Sequence, residues 1–318
     1  MLNRRRLLKE SAAAALAAML LPSSKFRHDT LMDKVGIQLF SLPKLLEKDF
    51  AAALSMLSSM GYKELELYGP YDFSTDAAKK SWDKVTPALG FKGSGYFGLK
   101  ATDVKRLLKQ NGLAAPSMHT DLDTLEHGMN QLAESANFIG SDYVVLPAIP
   151  GDKRKTLDDY RKMADTFNGI GAAAKKQGVK FAYHNHGYGL KEMNGQVPLK
   201  LILDNTDPSL VFLEMDLYWT TAGGADPIGY LQNYPDRYRL MHVKDMTKKM
   251  QFSGDGGDSN QWIELFPYMT TAGNGVIDLK TILPKAKELG VKHFIVEQDM
   301  VANPEVALKK SIDYLKGL

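Results

Sequence analysis

The 318-residue chain contains no cysteine, which excludes disulfides, thiolate metal ligands and a cysteine nucleophile together. It also has little excess of either charge. Forty Lys and Arg face 37 Asp and Glu, for a formal net charge of +3, and part of that surplus is Arg4, Arg5, Arg6 and Lys9 at the N-terminus. No long basic stripe with interleaved aromatics occurs, so the electrostatic footprint of a nucleic-acid binder is missing. No apolar run reaches the roughly 20 residues of a membrane-spanning helix, so no stable membrane anchor is expected. Where a dinucleotide-binding G-x-G-x-x-G would follow the first strand, the sequence reads Ser41-Leu42-Pro43-Lys44. A P-loop is likewise absent, which leaves no recognisable phosphate cradle. What the chain does have is 44% hydrophobic residues against 24% charged, enough for a sizeable core.

The N-terminus runs Asn3-Arg4-Arg5-Arg6-Leu7-Leu8-Lys9, then an alanine-rich apolar stretch from Ser11 to Leu21, then Pro22-Ser23-Ser24. Basic, apolar, then small and polar is the layout of an export signal. The Arg4-Arg5 pair resembles the twin-arginine type, whose substrates cross the membrane already folded. Residues 1–30 are therefore expected to be signal and linker, with a periplasmic or otherwise exported destination, and residues 31–318 to form a single domain.

Within that domain, short β-branched or aromatic runs alternate with helical periodicity. Strands are predicted at Val35–Phe40, Glu64–Tyr68, Ala115–His119, Tyr143–Leu146, Lys180–His184, Leu210–Asp216, Arg239–Val243 and His293–Glu297. Helices are predicted at Phe50–Met60, Ala101–Gln110, Leu125–Ile139, Leu157–Gln177, Leu279–Leu289 and Pro304–Leu315. Several close on a glycine just before the next strand, as at Gly61, Gly112, Gly140, Gly178 and Gly290, where a left-handed cap is needed. Alternation of this kind predicts a parallel sheet, and eight repeats in one domain of this length predict a closed (β/α)₈ TIM barrel of the α/β class, with an open doubly wound sheet as the other architecture. The irregular, glycine-rich stretch from Thr247 to Asp278 reads as a loop over the barrel mouth, whose glycines would let it move or approach a ligand closely.

A barrel of this type carries its chemistry at the C-terminal ends of its strands. There the sequence places His184-Asn185-His186, Glu214-Met215-Asp216, His242-Val243-Lys244-Asp245 and Glu297-Gln298-Asp299, and earlier Gln38, Glu66 and His119. Residues two apart on a strand share a face, and unpartnered ionisable groups in a packed interior are costly. Imidazoles and carboxylates at four strand ends are most simply explained as converging on a cation. A nitrogen and oxygen donor set without sulfur suits Mn, Mg, Co or Zn.

Val35-Gly36-Ile37-Gln38, Gly61-Tyr62-Lys63-Glu64-Leu65-Glu66, Tyr183-His184-Asn185-His186, Leu213-Glu214-Met215-Asp216, His242-Val243-Lys244-Asp245 and Val296-Glu297-Gln298-Asp299 occur in this order. Together they resemble the xylose isomerase-like, sugar phosphate isomerase/epimerase superfamily over residues 34–316, in particular a subgroup with a His-Asn-His signature. The resemblance implies a divalent metal held from strands five to eight by His184, Asp216, His242 and Glu297. It departs from the epimerase pattern at His184, where that pattern has a glutamate. A carboxylate shortly after the second histidine is also missing, the stretch being Gly187-Tyr188-Gly189-Leu190, unless Glu192 replaces it.

The implied activity is that of a metal-dependent sugar isomerase or epimerase, which abstracts a proton beside the carbonyl of an unphosphorylated sugar or keto-sugar. A lyase, dehydratase or hydrolase on a keto-sugar is the alternative that the missing glutamate favours, and a non-catalytic sugar-binding barrel is the alternative of another class. Glu297 is expected to be the base, with His186, His119 or Lys244 supplying the acid. Gln38, Glu66, Tyr218 and Trp219 are expected to touch the substrate. The partner is thus a small sugar, with no nucleic acid, and association into a homo-oligomer is compatible with this reading.

Overall fold

A computed structural model describes Met32, residues 34–299 and residues 301–318; the expected export signal lies outside the described residues. The strands are β1 (Val35–Gln38), β2 (Glu64–Tyr68), β3 (Ala114–His119), β4 (Tyr143–Leu146), β5 (Lys180–His184), β6 (Val211–Asp216), β7 (Tyr238–Val243) and β8 (His293–Val296). They pair in parallel and in chain order, and β8 returns to β1 with Ile37 opposite Val296, which closes the barrel. This is the (β/α)₈ architecture; the open sheet is ruled out. Among the described residues, no helix is long and apolar enough to cross a membrane.

Local chemistry explains the boundaries. The first strand stops two residues early because the Gln38 side chain accepts a hydrogen bond from Phe40 N and starts a 3₁₀ turn over Leu39–Ser41. Asp49 caps the helix Phe50–Met60, which ends on Gly61 at φ 106°, a left-handed value that glycine adopts freely. Thr156 and Asp159 form a reciprocal capping box at the start of Leu157–Lys176. The helix expected over Leu125–Ile139 is two, Leu122–His127 and Met129–Ile139, because Gly128 leaves helical geometry at φ −117° and ψ 15°. The helix Asp76–Leu89 was not anticipated: it buries only Ala78 and Thr86 and carries Pro87.

The stretch after β7 is held down by its own contacts. It contains a short helix, Ser259–Leu265, and a two-residue antiparallel pairing of Asp245–Met246 with Met269–Thr270. Asp245 accepts hydrogen bonds from the backbone N–H groups of Met246, Gly273, Gly275 and Ile277. Gln261 accepts from Gly254 and Gly256. The glycines therefore serve close backbone approach more than motion.

Tyr143, Val145, Ala182, Leu240 and Ile295 form an apolar cluster separate from the large core between strands and helices. Two residues further along the same strands stand His184, His242 and Glu297. Since period two keeps a face, the interior changes from apolar to ionisable on moving one step toward the C-terminal ends. The polar layer is thus built on a rigid apolar plug.

Candidate active site

Asp216 Oδ2, His242 Nδ1 and Glu297 Oε2 converge at that end, with His184 Nε2 beside Asp216. Asp216 Oδ2 lies 3.6 Å from His184 Nε2 and 3.9 Å from His242 Nδ1, and His242 Nδ1 is 2.7 Å from Glu297 Oε2. One Asp216 oxygen accepts from Trp219 N at 2.8 Å, capping the turn that follows β6. The other, Oδ2, is buried and accepts no hydrogen bond, although Lys244 Nζ stands 3.2 Å away as an ion pair. Asn185, between the two histidines, accepts from Asp216 N and donates to Thr220, which fixes β5 against β6.

Each imidazole turns its other nitrogen to a deeper carboxylate. His184 Nδ1 is 3.0 Å from Glu214 Oε2, and His242 Nε2 is 2.5 Å from Glu66 Oε1. His119 Nε2 lies between them, 2.9 Å from Glu66 Oε1 and 2.7 Å from Glu214 Oε2. Glu66 also accepts from Gln38 Nε2 at 2.8 Å and from the Ser117 hydroxyl. Carboxylates placed in this way fix which ring nitrogen carries the proton and which offers a lone pair.

Two overlapping donor sets result, Asp216–His242–Glu297 and His119–His184–Glu214–His242. A cation in the first leaves the deeper hydrogen bonds intact, whereas one in the second would have to replace the contacts of Glu214 with His119 and His184. The first set is therefore the better one. It brings together Asp216, His242 and Glu297, three of the four residues that the sequence singled out; the fourth, His184, belongs to the other set and stands beside Asp216.

The ionisation states follow from burial and neighbours. Burial alone would raise Glu66, but His119 and His242 outweigh it and hold the carboxyl well below the usual range. Burial, joined by the charge of Glu66, pushes Glu214 up to about 7. His119 is raised to about 9, because Glu66 and Glu214 overcome the opposing effect of burial. His186 is lowered to about 3 by burial and by Lys244. Asp299 is raised to about 7 by burial and by Glu297. Lys244 resists the effect of burial and is raised well above its ordinary value by Asp216 and Asp299.

A cavity of about 330 Å³ opens above these groups, lined by Gln38, His119, His184, His186, His242, Glu297 and Asp299 among others. None of its lining residues is Lys or Arg. Glu66 does not line it: fully buried, it lies beneath the floor and holds His242, so its place is that of a positioning residue and not of a substrate contact. Tyr218 and Trp219 do not line it either. The chain turns into the helix Leu217–Ala222 directly after Asp216, which sends the Tyr218 hydroxyl to Leu265 O and packs Trp219 on Phe252.

Lys244 is also off the cavity, tied to Glu297 at 2.6 Å and Asp299 at 2.8 Å. His186 does line it, but its Nδ1 is 2.5 Å from Pro147 O. A carbonyl can only accept, so Nδ1 carries the proton and Nε2 keeps the lone pair, which suits a base more than an acid. Glu192 is exposed and supplies no carboxylate. Glu214 and Asp299 were assigned no role by sequence, although their signal was present: each lies two residues from an expected ligand.

A sequence model of the xylose isomerase-like TIM barrel family matches residues 54–318. The chain belongs to this family. It is 23% identical over 289 residues to an inosose dehydratase of Clostridium perfringens, covering 85% of this chain and 90% of that one. Among solved structures it is similar to a sugar phosphate isomerase/epimerase from Parabacteroides distasonis, with TM-score 0.70 and 24% identity over 93% of this chain and 98% of the other. It is also similar to the IOLI protein crystallised with a zinc atom, with TM-score 0.62 and 17% identity over 89% of this chain and 95% of the other. As a member of this family the chain has a buried histidine and carboxylate group of the kind that binds a divalent metal.

Proposed function

We propose that this family member is a divalent-metal-dependent lyase or dehydratase, which removes a proton beside the carbonyl of an unphosphorylated keto-sugar and then expels water or another leaving group. The carrying observation is that, of Asp216 and Glu297, only Glu297 lines the cavity, while the β5 position holds the imidazole of His184. A two-base epimerase needs a base on each face of the substrate. The other cavity-lining acids are engaged: Asp299 comes from the same strand end as Glu297 and is bound by Lys244, and Asp121, after β3, accepts from Thr124 as a helix cap, while His186, lowered to about 3, is a weak base. The dehydratase name of the relative from Clostridium perfringens supports the same reading.

His184, Asp216, His242 and Glu297 would hold the ion. The bare Asp216 oxygen and the oxygen and nitrogen donors fit a divalent cation. When bound, the ion supplies Lewis-acid polarisation of the substrate carbonyl. Glu297, kept ionised by Lys244 and His242 against the effect of burial, takes the proton from the carbon next to that carbonyl. The electron pair of the broken C–H bond forms the C=C bond as the C–O bond to the leaving group breaks. His119, which lines the cavity and is held protonated by Glu66 and Glu214, gives the leaving oxygen its proton.

No Lys or Arg lines the cavity, which supports an unphosphorylated substrate. The export reading of the N-terminus points the same way, since sugar phosphates are cytoplasmic metabolites.

Purified protein is expected to carry a divalent ion by elemental analysis, and dialysis against a chelator should abolish turnover of keto-sugars until Mn, Co, Mg or Zn is restored. Undiminished turnover in chelated protein would remove the metal from the mechanism. Nuclear magnetic resonance in D₂O should show an unsaturated product; an epimer carrying solvent deuterium would return the assignment to epimerase. Glu66→Gln is expected to weaken ion affinity or turnover about 10–100-fold with an unchanged circular dichroism spectrum, as for other partners of metal-binding imidazoles. Full ion affinity and full turnover together in that variant would show that the Glu66–His242 contact orients nothing.

A further inference from the structure

We infer that the cavity continues past its polar floor into a subsite for a planar apolar group, so that the substrate is an aryl glycoside and not a free monosaccharide or a disaccharide. This rests on the keto-sugar reading of the floor. One side of the same cavity is formed by Phe40, Tyr68, Pro70, Trp82 and Val85. Phe40 and Tyr68 meet edge to face with centroids 5.2 Å apart, and Tyr68 and Trp82 are 6.0 Å apart. Phe91 braces both ends from behind, 5.5 Å from Phe40 and 5.9 Å from Trp82. The wall is thus a packed surface, fixed before anything binds.

Beside the Ser81 hydroxyl, which also lines the cavity, the polar atoms of the aromatic residues on this wall are already in use. The Tyr68 hydroxyl donates to Gly93 O at 2.9 Å, and the Trp82 indole N–H donates to Lys92 O at 2.7 Å. Asp121, at the edge of the cavity, accepts from Thr124 N at 2.8 Å and from the Thr124 hydroxyl at 2.7 Å as a helix cap. A second sugar ring placed here would give up water from its hydroxyls and find few partners in return. A flat apolar ring gives up nothing of the kind and gains contact with aromatic faces and edges. Val85, on the helix Asp76–Leu89, is 45% exposed and continues the wall to the rim. Isolated apolar residues on a surface are ordinary, but one that extends an aromatic wall inside a cavity marks where a ligand covers it.

Isothermal titration of the full protein tests this with phenyl β-D-glucoside, methyl β-D-glucoside, cellobiose and phenol, none of which has a keto group to react. Phenyl glucoside should bind about tenfold more tightly than methyl glucoside or cellobiose, and phenol should bind weakly. Trp82→Ala and, independently, Val85→Asp should remove the preference; both positions lie on the outer helix, away from the barrel core. Equal affinities in the wild type, cellobiose matching phenyl glucoside, absence of binding by phenyl glucoside, or a preference that survives both substitutions would each overturn the subsite. A retained aryl preference in protein that holds no ion would defeat the catalytic reading alone. Turnover of keto-sugars without any aryl preference would defeat the subsite alone.

Discussion

Glu297→Gln should lower turnover of a keto-sugar by about 10²–10⁴-fold, the usual worth of a positioned general base, with the fold retained. Glutamine keeps the size of the side chain and an oxygen for a cation, but it has no charge and no lone pair basic enough to take a carbon-bound proton. Glu297 Oε2 is held by His242 at 2.7 Å and Lys244 at 2.6 Å, so the geometry at the floor should change little. Steady-state kinetics with elemental analysis of the same sample check the prediction. The companion variant is His186→Asn, because His186 offers a free Nε2 to the same cavity. Should His186→Asn cost far more than Glu297→Gln, the base is the imidazole and not the carboxylate.

His242→Ala is expected to have the largest effect on stability, about 3–5 kcal/mol in ion-free protein, the range found when one partner of a buried charged pair is deleted. His242 is 1% exposed and bridges Glu66 and Glu297, one at each ring nitrogen. Its removal leaves Glu66 with a single imidazole, His119, and leaves Glu297 to Lys244. Urea denaturation measures the loss, and elemental analysis should show the ion gone from the same sample. A change below about 1 kcal/mol, the worth of an exposed pair, would mean that the network tolerates the gap and that His242 is not its centre.

The barrel strands could be placed from the sequence because buried parallel strands are short, apolar and separated by helices that end on glycine. Tyr143–Leu146 and Lys180–His184 fall as expected, since nothing local competes with pairing there. Where a side chain does compete, the boundary moves: Gln38 captures Phe40 N and ends β1 early. The helix Asp76–Leu89 does carry apolar residues at helical spacing, Ala78, Trp82, Val85 and Leu89, with Pro87 near its end, and it brings Trp82 and Val85 to the cavity.

Residue type and strand-end position pointed to His184, Asp216, His242 and Glu297, because ionisable groups are rarely buried without a reason, and Asp216, His242 and Glu297 do come together. The sequence by itself thus determined the barrel and the chemical character of its mouth. Only the tertiary structure decided which ring nitrogen meets which carboxylate, that Glu66 lies beneath His242, and that Tyr218 and Trp219 do not line the cavity. The reason is physical. Period two fixes the face on which a side chain lies, whereas its depth and its partners depend on the register between strands that are far apart in the chain.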